Sequence, residues 1–234
     1  MSSPLTAVLA RVPYFAGLDP ATLARLAMEA RERRCAAGEL VLAEGEPCPG
    51  LSVVVSGRVK AFKLSEDGRE QVLRILGAGR TFNDVPLFDD GPNPASVAAL
   101  EETTVALLPA ARIHALVRER PEVAAAVIRV LAQRLRAVTE MVEDLALRGV
   151  TARVARLLLQ CSRGAPPLAE GAGDHCAHLT QQQLAAMTGS VREVVQRSLK
   201  ALEREGAIRL ARGSIRVLAP DILAAWSGAG RGEG

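Results

Sequence analysis

Aromatic side chains are scarce in this chain of 234 residues, which contains one tryptophan, one tyrosine and four phenylalanines. Leucine, valine and alanine must therefore fill most of the interior, and the length allows two domains with separate cores. No apolar run approaches the ~20 residues of a membrane-spanning helix, and the N-terminus lacks the layout of a signal peptide. These absences predict a soluble, cytoplasmic protein.

Metal-binding side chains are also rare. The four cysteines include no CxxC pair, and residues 36–108 contain no histidine, whereas zinc and iron–sulfur sites need closely paired ligands. Cys161, His175, Cys176 and His178 could converge on a metal, but Cys161 also fits the core side of an amphipathic helix. We expect reduced cysteines, no metal or other cofactor, and no catalytic site of the metal-barrel type.

Charge is unevenly distributed. Residues 148–234 carry twelve basic and seven acidic side chains, whereas residues 1–147 carry seventeen basic and nineteen acidic ones. A basic half joined to a slightly acidic half suits a DNA-binding domain attached to a sensor.

The clearest functional pattern lies in residues 179–206. Two short helical patterns flank a turn at Gly189, which supplies the conformational freedom for a tight reversal. Thr180 to Gln183 and Ser190 to Glu193 each have the spacing of a capping box at a helix start. Small residues, a glycine turn and a branched valine predict a helix-turn-helix, whose second helix enters the major groove of DNA.

The second of these helices, predicted over residues 190–204, has two chemically different faces. One side carries Val191, Val194, Val195, Ser198, Ala201 and Leu202. Arginine, glutamate and glutamine side chains can read base edges, which favours DNA recognition over an ordinary helical hairpin with a solvated face. We expect base reading by Arg192, Glu193, Gln196 and Arg197, and phosphate contacts from Thr180, Gln181, Ser190, Lys200 and Arg212.

Residues 36–108 contain short strand-like runs separated by glycine-bearing turns. The runs are LVLA, LSVVV, RVKAFKL, QVLRIL, SVAAL and TTVALL, and Asp67-Gly68 is a strong hairpin signal. Many short strands with regular turns predict a small closed sandwich or jelly roll. Without histidine, this barrel is expected to sense or to scaffold.

A long helical pattern follows the barrel after a short helix that ends at Pro121. Its apolar residues recur at spacings of 3, 4, 3, 4 and 3, which is the seam of a two-stranded coiled coil. The alternative is a helix that lies against its own barrel without a partner chain. We expect a homodimer interface formed by Ile128, Leu131, Leu135, Val138, Val142 and Leu145.

The remaining sequence completes an α+β architecture. Gly149 is a natural hinge, residues 150–163 form an amphipathic helix, and 164–174 read as a loop. AIRLARGSIRVLAP alternates about Arg212-Gly213-Ser214 and predicts a wing hairpin beside the recognition helix. The predicted domains are a sensor domain (1–109), a dimerisation region (110–148), a winged helix-turn-helix (149–226) and a disordered tail (227–234).

The order of barrel, long helix and winged helix-turn-helix resembles the bacterial family of the cyclic-AMP receptor protein and the fumarate-nitrate regulator. The similarity extends over roughly residues 10–218 and includes GELVLAEGEPCPGLSVVVSGRVKAFKLSEDGREQVLRILGAGRTFND and LTQQQLAAMTGSVREVVQRSLKALEREGAI. It implies an N-terminal β-roll like a cyclic-nucleotide-binding domain and a homodimer that binds double-stranded DNA and RNA polymerase. The family's R-E-x-x-x-R pattern stands here as Arg192, Glu193 and Arg197, which implies half-sites like TGTGA.

The barrel departs from the nucleotide-binding members of that family. Asn83-Asp84-Val85 stands where they carry G-E-L, and Pro94-Ala95 replaces their phosphate-binding R-S pair. Asp84 would repel an anion, so we expect weak or no cyclic-AMP binding, unless Arg74 or Arg80 takes over the phosphate. A different effector, or none, is expected; its pocket would comprise Phe82, Asn83, Asp84, Val138 and Thr139.

Two alternatives accompany this interpretation. The chain could be a ligand-binding barrel whose helix-turn-helix is vestigial or contacts proteins. The iron–sulfur cysteine cluster of the fumarate-nitrate branch is missing from the N-terminus, and a haem would have only Cys35 and Cys48 of the barrel as thiol ligands.

Overall fold

The structure, a computed structural model, describes residues 4–164, 169–170, 179–211 and 214–228. The described residues form two compact units. The first unit draws on Met1–Lys63, Arg74–Arg136 and Glu170–Gly173, and the second on Leu64–Leu73, Ala137–Ala169 and Asp174–Gly234. The division falls inside the long helix, so that helix contributes residues to both units.

The first part of the chain is a β-roll with helices at its start and end. Asp19 caps the second helix, because its carboxylate accepts a hydrogen bond from the backbone N–H of Thr22 at 2.9 Å. The elements are α1 (Pro4–Leu9), α2 (Pro20–Glu29), β1 (Arg31–Cys35), β2 (Leu40–Leu42), β3 (Gly50–Ser56), β4 (Arg58–Leu64), β5 (Glu70–Gly77), β6 (Thr81–Phe82), α3 (Asp84–Asp89), β7 (Ser96–Ala99), β8 (Thr103–Pro109) and α4 (Ala110–Glu119).

The strands of this part of the chain form two antiparallel sheets, as expected for a small sandwich. One has the order β1-β8-β3-β6, and the other the order β2-β7-β4-β5-β9, where β9 is Ala169–Glu170. Each of the six predicted strand-like runs is a strand. The hairpin at Asp67-Gly68 is confirmed, since Gly68 has a positive φ of 78° and its N–H donates to the carbonyl of Ser65 at 2.9 Å.

Three strands were not predicted from the sequence. Strand β1 has the sequence RERRC and exposes its first four side chains at a sheet edge, so it lacks the alternation that identifies a half-buried strand. Strands β6 and β9 have only two residues each, which is too short for any periodicity.

The long helix α5 (Pro121–Leu147) buries one face and exposes another. Val123, Val127 and Val130 pack into the core of the first unit, together with Leu9, Leu26 and other residues of the N-terminal helices. The predicted seam lies on a different face: Leu131 is half-buried against that core. The other five seam residues have exposed fractions between 40% and 68%, namely Ile128, Leu135, Val138, Val142 and Leu145.

The second unit has the predicted winged helix-turn-helix arrangement. Strands β10 (Ile208–Ala211) and β11 (Ser214–Val217) pair antiparallel as the wing, although its turn residues 212–213 lie outside the described residues. The elements are α6 (Val150–Ser162), α7 (Gln181–Thr188), α8 (Arg192–Arg204), β10 (Ile208–Ala211), β11 (Ser214–Val217) and α9 (Pro220–Ser227).

Two expectations near the C-terminal half need correction. The predicted disordered tail, 227–234, starts too early, because Ser227 ends α9 with a buried side chain; residues 229–234 lie outside the described residues. Cys161 is disulfide-bonded, so the expectation of reduced cysteines is wrong for this residue. Within the described part of the chain, no helix is long and apolar enough to cross a membrane.

Candidate nucleic-acid interface and ligand site

The turn between α7 and α8 has the geometry that the sequence predicts. The hydroxyl of Thr180 accepts from the N–H of Gln183, and the side-chain oxygen of Gln183 accepts from the N–H of Thr180, which completes a capping box. Gly189 ends α7 in the left-handed conformation with φ of 60°, and its N–H donates to the carbonyl of Ala185. This glycine therefore sets the angle at which α8 leaves the turn.

Helix α6 holds both helices of this motif in place. The guanidinium of Arg153 donates from Nε to the carbonyl of Thr188 at 2.7 Å, which satisfies the C-terminal end of α7. The hydroxyl of Thr151 lies 3.0 Å from the hydroxyl of Ser198 on the buried side of α8. Hydrogen bonds at both points fix α8 relative to the rest of the second unit.

The start of α8 differs from the prediction. The residue that precedes the first helical turn is Val191, whose side chain forms no cap, and not Ser190. The predicted capping box between Ser190 and Glu193 is therefore absent. Its physical consequence is that Glu193 is exposed in the first turn, where its carboxylate is available to an external donor.

Helix α8 docks by an apolar side and presents a polar side. Val195, Leu199 and Leu202 are fully buried, and Ser198 is buried with them. The predicted base-reading residues lie together on the exposed side: Arg192, Glu193, Gln196 and Arg197, followed by Lys200. An anchored helix with exposed arginine, glutamate and glutamine side chains can present donors and acceptors to base edges.

The other predicted phosphate contacts have more varied environments. The hydroxyl of Thr180 is used by the capping box, since it also donates to Gln183 at 3.0 Å. Gln181 and Ser190 are half-buried, and Arg212 lies outside the described residues.

Two arginines of the wing were missed by the sequence analysis. Arg209 of β10 and Arg216 of β11 are directly opposite each other in the antiparallel register, and both are exposed. Like charges in opposite positions destabilise a strand pair unless an anion lies near them. The alternating sequence about residues 212–213 would have revealed this pair if the register had been counted.

The interior of the β-roll contains a buried ionic cluster around Asp84. The carboxylate oxygen Oδ2 of Asp84 accepts hydrogen bonds from the hydroxyl of Tyr14 at 2.9 Å and the hydroxyl of Thr81 at 2.8 Å. It also pairs with Nη1 of Arg134, whose Nη2 donates to the carbonyl of Thr81 at 3.0 Å. Asp84 is therefore an internal ion-pair partner.

The electrostatics of this cluster correct the view of Asp84 as a group that repels anions. Burial by itself raises the pKa of Asp84, but Arg134 and then Arg74 more than offset it, and the pKa of this carboxyl lies below its usual value. The pKa of Tyr14 is raised, first by burial and then by the Asp84 charge. Asp84 therefore stays negatively charged, and the neighbouring arginines neutralise that charge.

The other predicted effector residues divide between the two units. Phe82 is buried in the core with Val54 and Leu76, and Asn83 has a left-handed backbone with φ of 68°. Val138 and Thr139 are exposed on α5 and group with the second unit.

Arg134, which the sequence did not single out, and Arg74, which it offered only as a fallback, are the cations that neutralise Asp84. The side chains of Arg74 and Arg134 are only 20% and 11% exposed. The other predicted fallback, Arg80, is half-buried.

Among the described residues, no group of three or more histidine, cysteine or acidic side chains could hold a metal ion. Cys35 is buried in the β-roll core, and Cys48 is half-buried with a pKa raised by its burial. The candidate ligands His175, Cys176 and His178 lie outside the described residues.

Two segments of the chain match known protein families. The family model of the cyclic nucleotide-binding domain matches residues 32–120, and that of the Crp-like helix-turn-helix domain matches residues 152–226. Among solved structures, a c-di-GMP responsive global regulator from Xanthomonas campestris, CLP, superposes with a TM-score of 0.73 at 25% identity. It covers 85% of this chain and 99% of its own.

Two curated relatives are more similar in sequence. A CRP-like cAMP-activated global transcriptional regulator of Mycobacterium tuberculosis is 33% identical over 217 residues, 93% of this chain and 97% of that protein. The cyclic AMP receptor protein of Thermus thermophilus is 34% identical over 207 residues, 88% of this chain and 92% of that protein. The resemblance found in the sequence is thereby confirmed, and the chain belongs to the Crp/Fnr family of bacterial transcription regulators.

Proposed function

We propose that this protein is a homodimeric, sequence-specific transcription regulator that recognises an inverted-repeat operator in double-stranded DNA. The observation that carries the proposal is the exposed polar face of α8 on a helix anchored by buried Val195, Leu199 and Leu202. Catalysis is not part of the proposal, which places the protein in the bacterial cytoplasm with RNA polymerase as its second partner. A vestigial or protein-contacting helix-turn-helix is the competing hypothesis.

The residues of α8 have distinct roles in this proposal. Arg192 and Arg197 each take the O6 and N7 of a guanine, and Glu193 accepts from the N4 of cytosine. The absence of the Ser190 cap supports the role of Glu193, because its carboxylate is not engaged by the turn. Gln196 lies between them on the exposed face and reads a neighbouring base.

Phosphate contacts complete the interface. Lys200 extends the basic surface along α8, and Arg209 with Arg216 brings two positive charges onto the wing. A phosphate between these arginines would relieve their mutual repulsion, which makes the wing a backbone contact that carries no sequence information. Among the predicted contacts, Thr180 is the weakest, since its hydroxyl already serves the capping box.

Homodimerisation is proposed through the seam of α5. The buried face of this helix uses Val123, Val127 and Val130, so the apolar residues at coiled-coil spacing are left on an exposed face. A second copy of the same helix is the partner that such a seam fits, because two-fold symmetry brings identical apolar positions together.

The effector is proposed to differ from that of the two curated relatives. One of them is named as activated by cyclic AMP and the other as a cyclic AMP receptor. The proline that replaces the expected phosphate arginine, Pro94, is exposed, and its carbonyl accepts from the ammonium of Lys63 at 3.1 Å. We expect cyclic AMP to bind weakly and to leave operator affinity unchanged in the wild-type protein. The chain either needs no small molecule or responds to another ligand.

Selection of bound sequences from a library of random duplexes tests the proposal. We expect enrichment of inverted repeats with TGTGA-like half-sites whose centres lie about one helical turn, ~10 bp, apart. Bound sequences with no shared motif, or no binding at low salt, would instead favour the vestigial helix-turn-helix.

Arg197→Ala tests base reading within the selected operator. The loss of one bidentate contact should weaken operator binding by about 1–3 kcal/mol and relax the preference at one G·C pair. Arg204→Ala, in the last turn of the same helix, removes an equal charge and serves as the control for electrostatic loss. Binding is measured by gel shift against the operator and its single-base variants.

Substitution of the two wing arginines tests phosphate contact, for which the expected loss of binding does not depend on the DNA sequence. Arg209→Gln together with Arg216→Gln should weaken binding uniformly across these variants and flatten the dependence of affinity on salt concentration. If Arg197→Ala gave the same uniform loss, Arg197 would be a phosphate contact and its base-reading role would be wrong.

A further inference from the structure

A second carboxylate reaches the arginines inside the first unit, and it comes from β9, far along the chain. Oε1 of Glu170 lies 2.9 Å from Nε of Arg74 and 3.7 Å from Nε of Arg134. Strand β9 is the edge neighbour of β5, the strand that carries Arg74. The sequence predicts a loop over residues 164–174, of which residues 165–168 and 171–174 lie outside the described residues.

The charges of this cluster balance only when Glu170 is included. Arg74 and Arg134 contribute two positive charges, and Asp84 with Glu170 contributes two negative ones. Asp84 is already matched by Arg134 and held by two hydroxyl donors. Glu170 is therefore the counter-charge of Arg74, and its removal leaves one excess positive charge in a largely buried site.

An excess buried positive charge is unfavourable unless an anion accompanies it. The pKa of Arg74 reflects this, because burial and then the neighbouring Arg134 lower it, while Glu170 works in the opposite direction. The cluster thus has an intrinsic affinity for one anionic group at the position of the Glu170 carboxylate.

The donors at this position suit a phosphate as well as a carboxylate. Nε and Nη2 of Arg74 both lie 2.9 Å from Oε1 of Glu170, and a guanidinium presents the same planar set of donors to either anion. Nε of Arg134 is buried and has no hydrogen-bond partner within the described part of the chain. A larger anion with more oxygens could use this donor, which Glu170 approaches only to 3.7 Å.

We propose that Glu170 is a built-in ligand of an anion site formed by Arg74 and Arg134, and that a small phosphate ester binds there only by displacing the Glu170 carboxylate. This inference deepens the proposed effector function, on which it rests, and gives a physical reason for weak binding of cyclic AMP to the wild-type protein. The site is present, but the chain itself occupies it.

The test is calorimetric titration of the full-length protein with cyclic AMP and, separately, with inorganic phosphate. Glu170→Gln keeps the shape of the side chain and removes its charge, so we expect affinity for at least one probe to rise about tenfold or more. Glu66→Gln, on the exposed turn between β4 and β5, makes the same change of net charge and should bind as the wild type does. Equal affinities in all three proteins for both probes would overturn the proposal.

Two further proteins locate the effect. Arg74→Gln combined with Glu170→Gln removes both members of the ion pair and should abolish the gain; a gain that survives would mean that the anion binds elsewhere. Glu170→Asp keeps the charge on a shorter side chain and should give an intermediate affinity even if the neutral variant folds poorly. Operator binding is measured separately, so a protein that fails to bind DNA contradicts the proposed function without affecting these titrations.

Discussion

Val142→Asp should convert the protein to a monomer and lower its operator affinity by roughly 100-fold or more. Val142 lies on the exposed seam of α5, where its exposed fraction is 59% in the single chain. In the proposed dimer, two aspartates would face each other across an apolar interface, and an unpaired buried charge costs several kcal/mol. The loss of DNA binding follows because two linked recognition helices bind two half-sites far more tightly than either helix alone.

Sedimentation velocity and gel shift measure the two effects of this substitution together. Gln133→Asp is the matched control, because it adds the same charge to an exposed position of α5 outside the seam. We expect that control to remain dimeric and to bind the operator as the wild type does. A Val142→Asp protein that sedimented as a dimer would place the interface on another surface.

The features that the sequence predicted correctly depend on local chemistry. The capping box at Thr180, the left-handed glycine at 189 and the hairpin at Gly68 each require only a few neighbouring residues of the right type. The two faces of α8 follow from helical periodicity in the same way, so the exposure of Arg197 and the burial of Val195 were both predictable.

The features that it missed depend on distant contacts. Arg74, Arg134 and Glu170 are separated by 60 and 36 positions in the chain, and no local pattern shows that they meet inside one unit. The same holds for Asp84, which the sequence presented as an isolated charge and the fold pairs with a cation. Ser190 is a different case, since its spacing to Glu193 fitted a cap but the helix begins one residue later.

Arg134→Met should destabilise the first unit by about 3–5 kcal/mol at neutral pH, because it leaves Asp84 as a buried charge without its directly paired cation. Tyr14 and Thr81 would still donate to Asp84, but neither supplies a positive charge. Adding Asp84→Asn to Arg134→Met removes the stranded charge and should restore part of the stability, so the double variant is expected to be more stable than Arg134→Met alone.

The pH dependence of this effect has a definite sign. In the wild type the pKa of Asp84 is lower folded than unfolded, so its stabilising contribution is complete above about pH 4, its ordinary value, and disappears as pH falls through the folded pKa. In Arg134→Met, only Arg74 still opposes burial, so the folded pKa of Asp84 is higher than in the wild type and the penalty shrinks as acid protonates the carboxyl. The difference in free energy of unfolding between the two proteins should therefore be largest at neutral pH and decrease towards pH 4.

This difference is measured by urea unfolding at each pH. Hydrogen exchange of peptides from β3 and β8 is the signal, because these strands report on the first unit alone. A difference that stayed constant from pH 7 to pH 4 would mean that Arg134 acts by packing and not through the charge of Asp84.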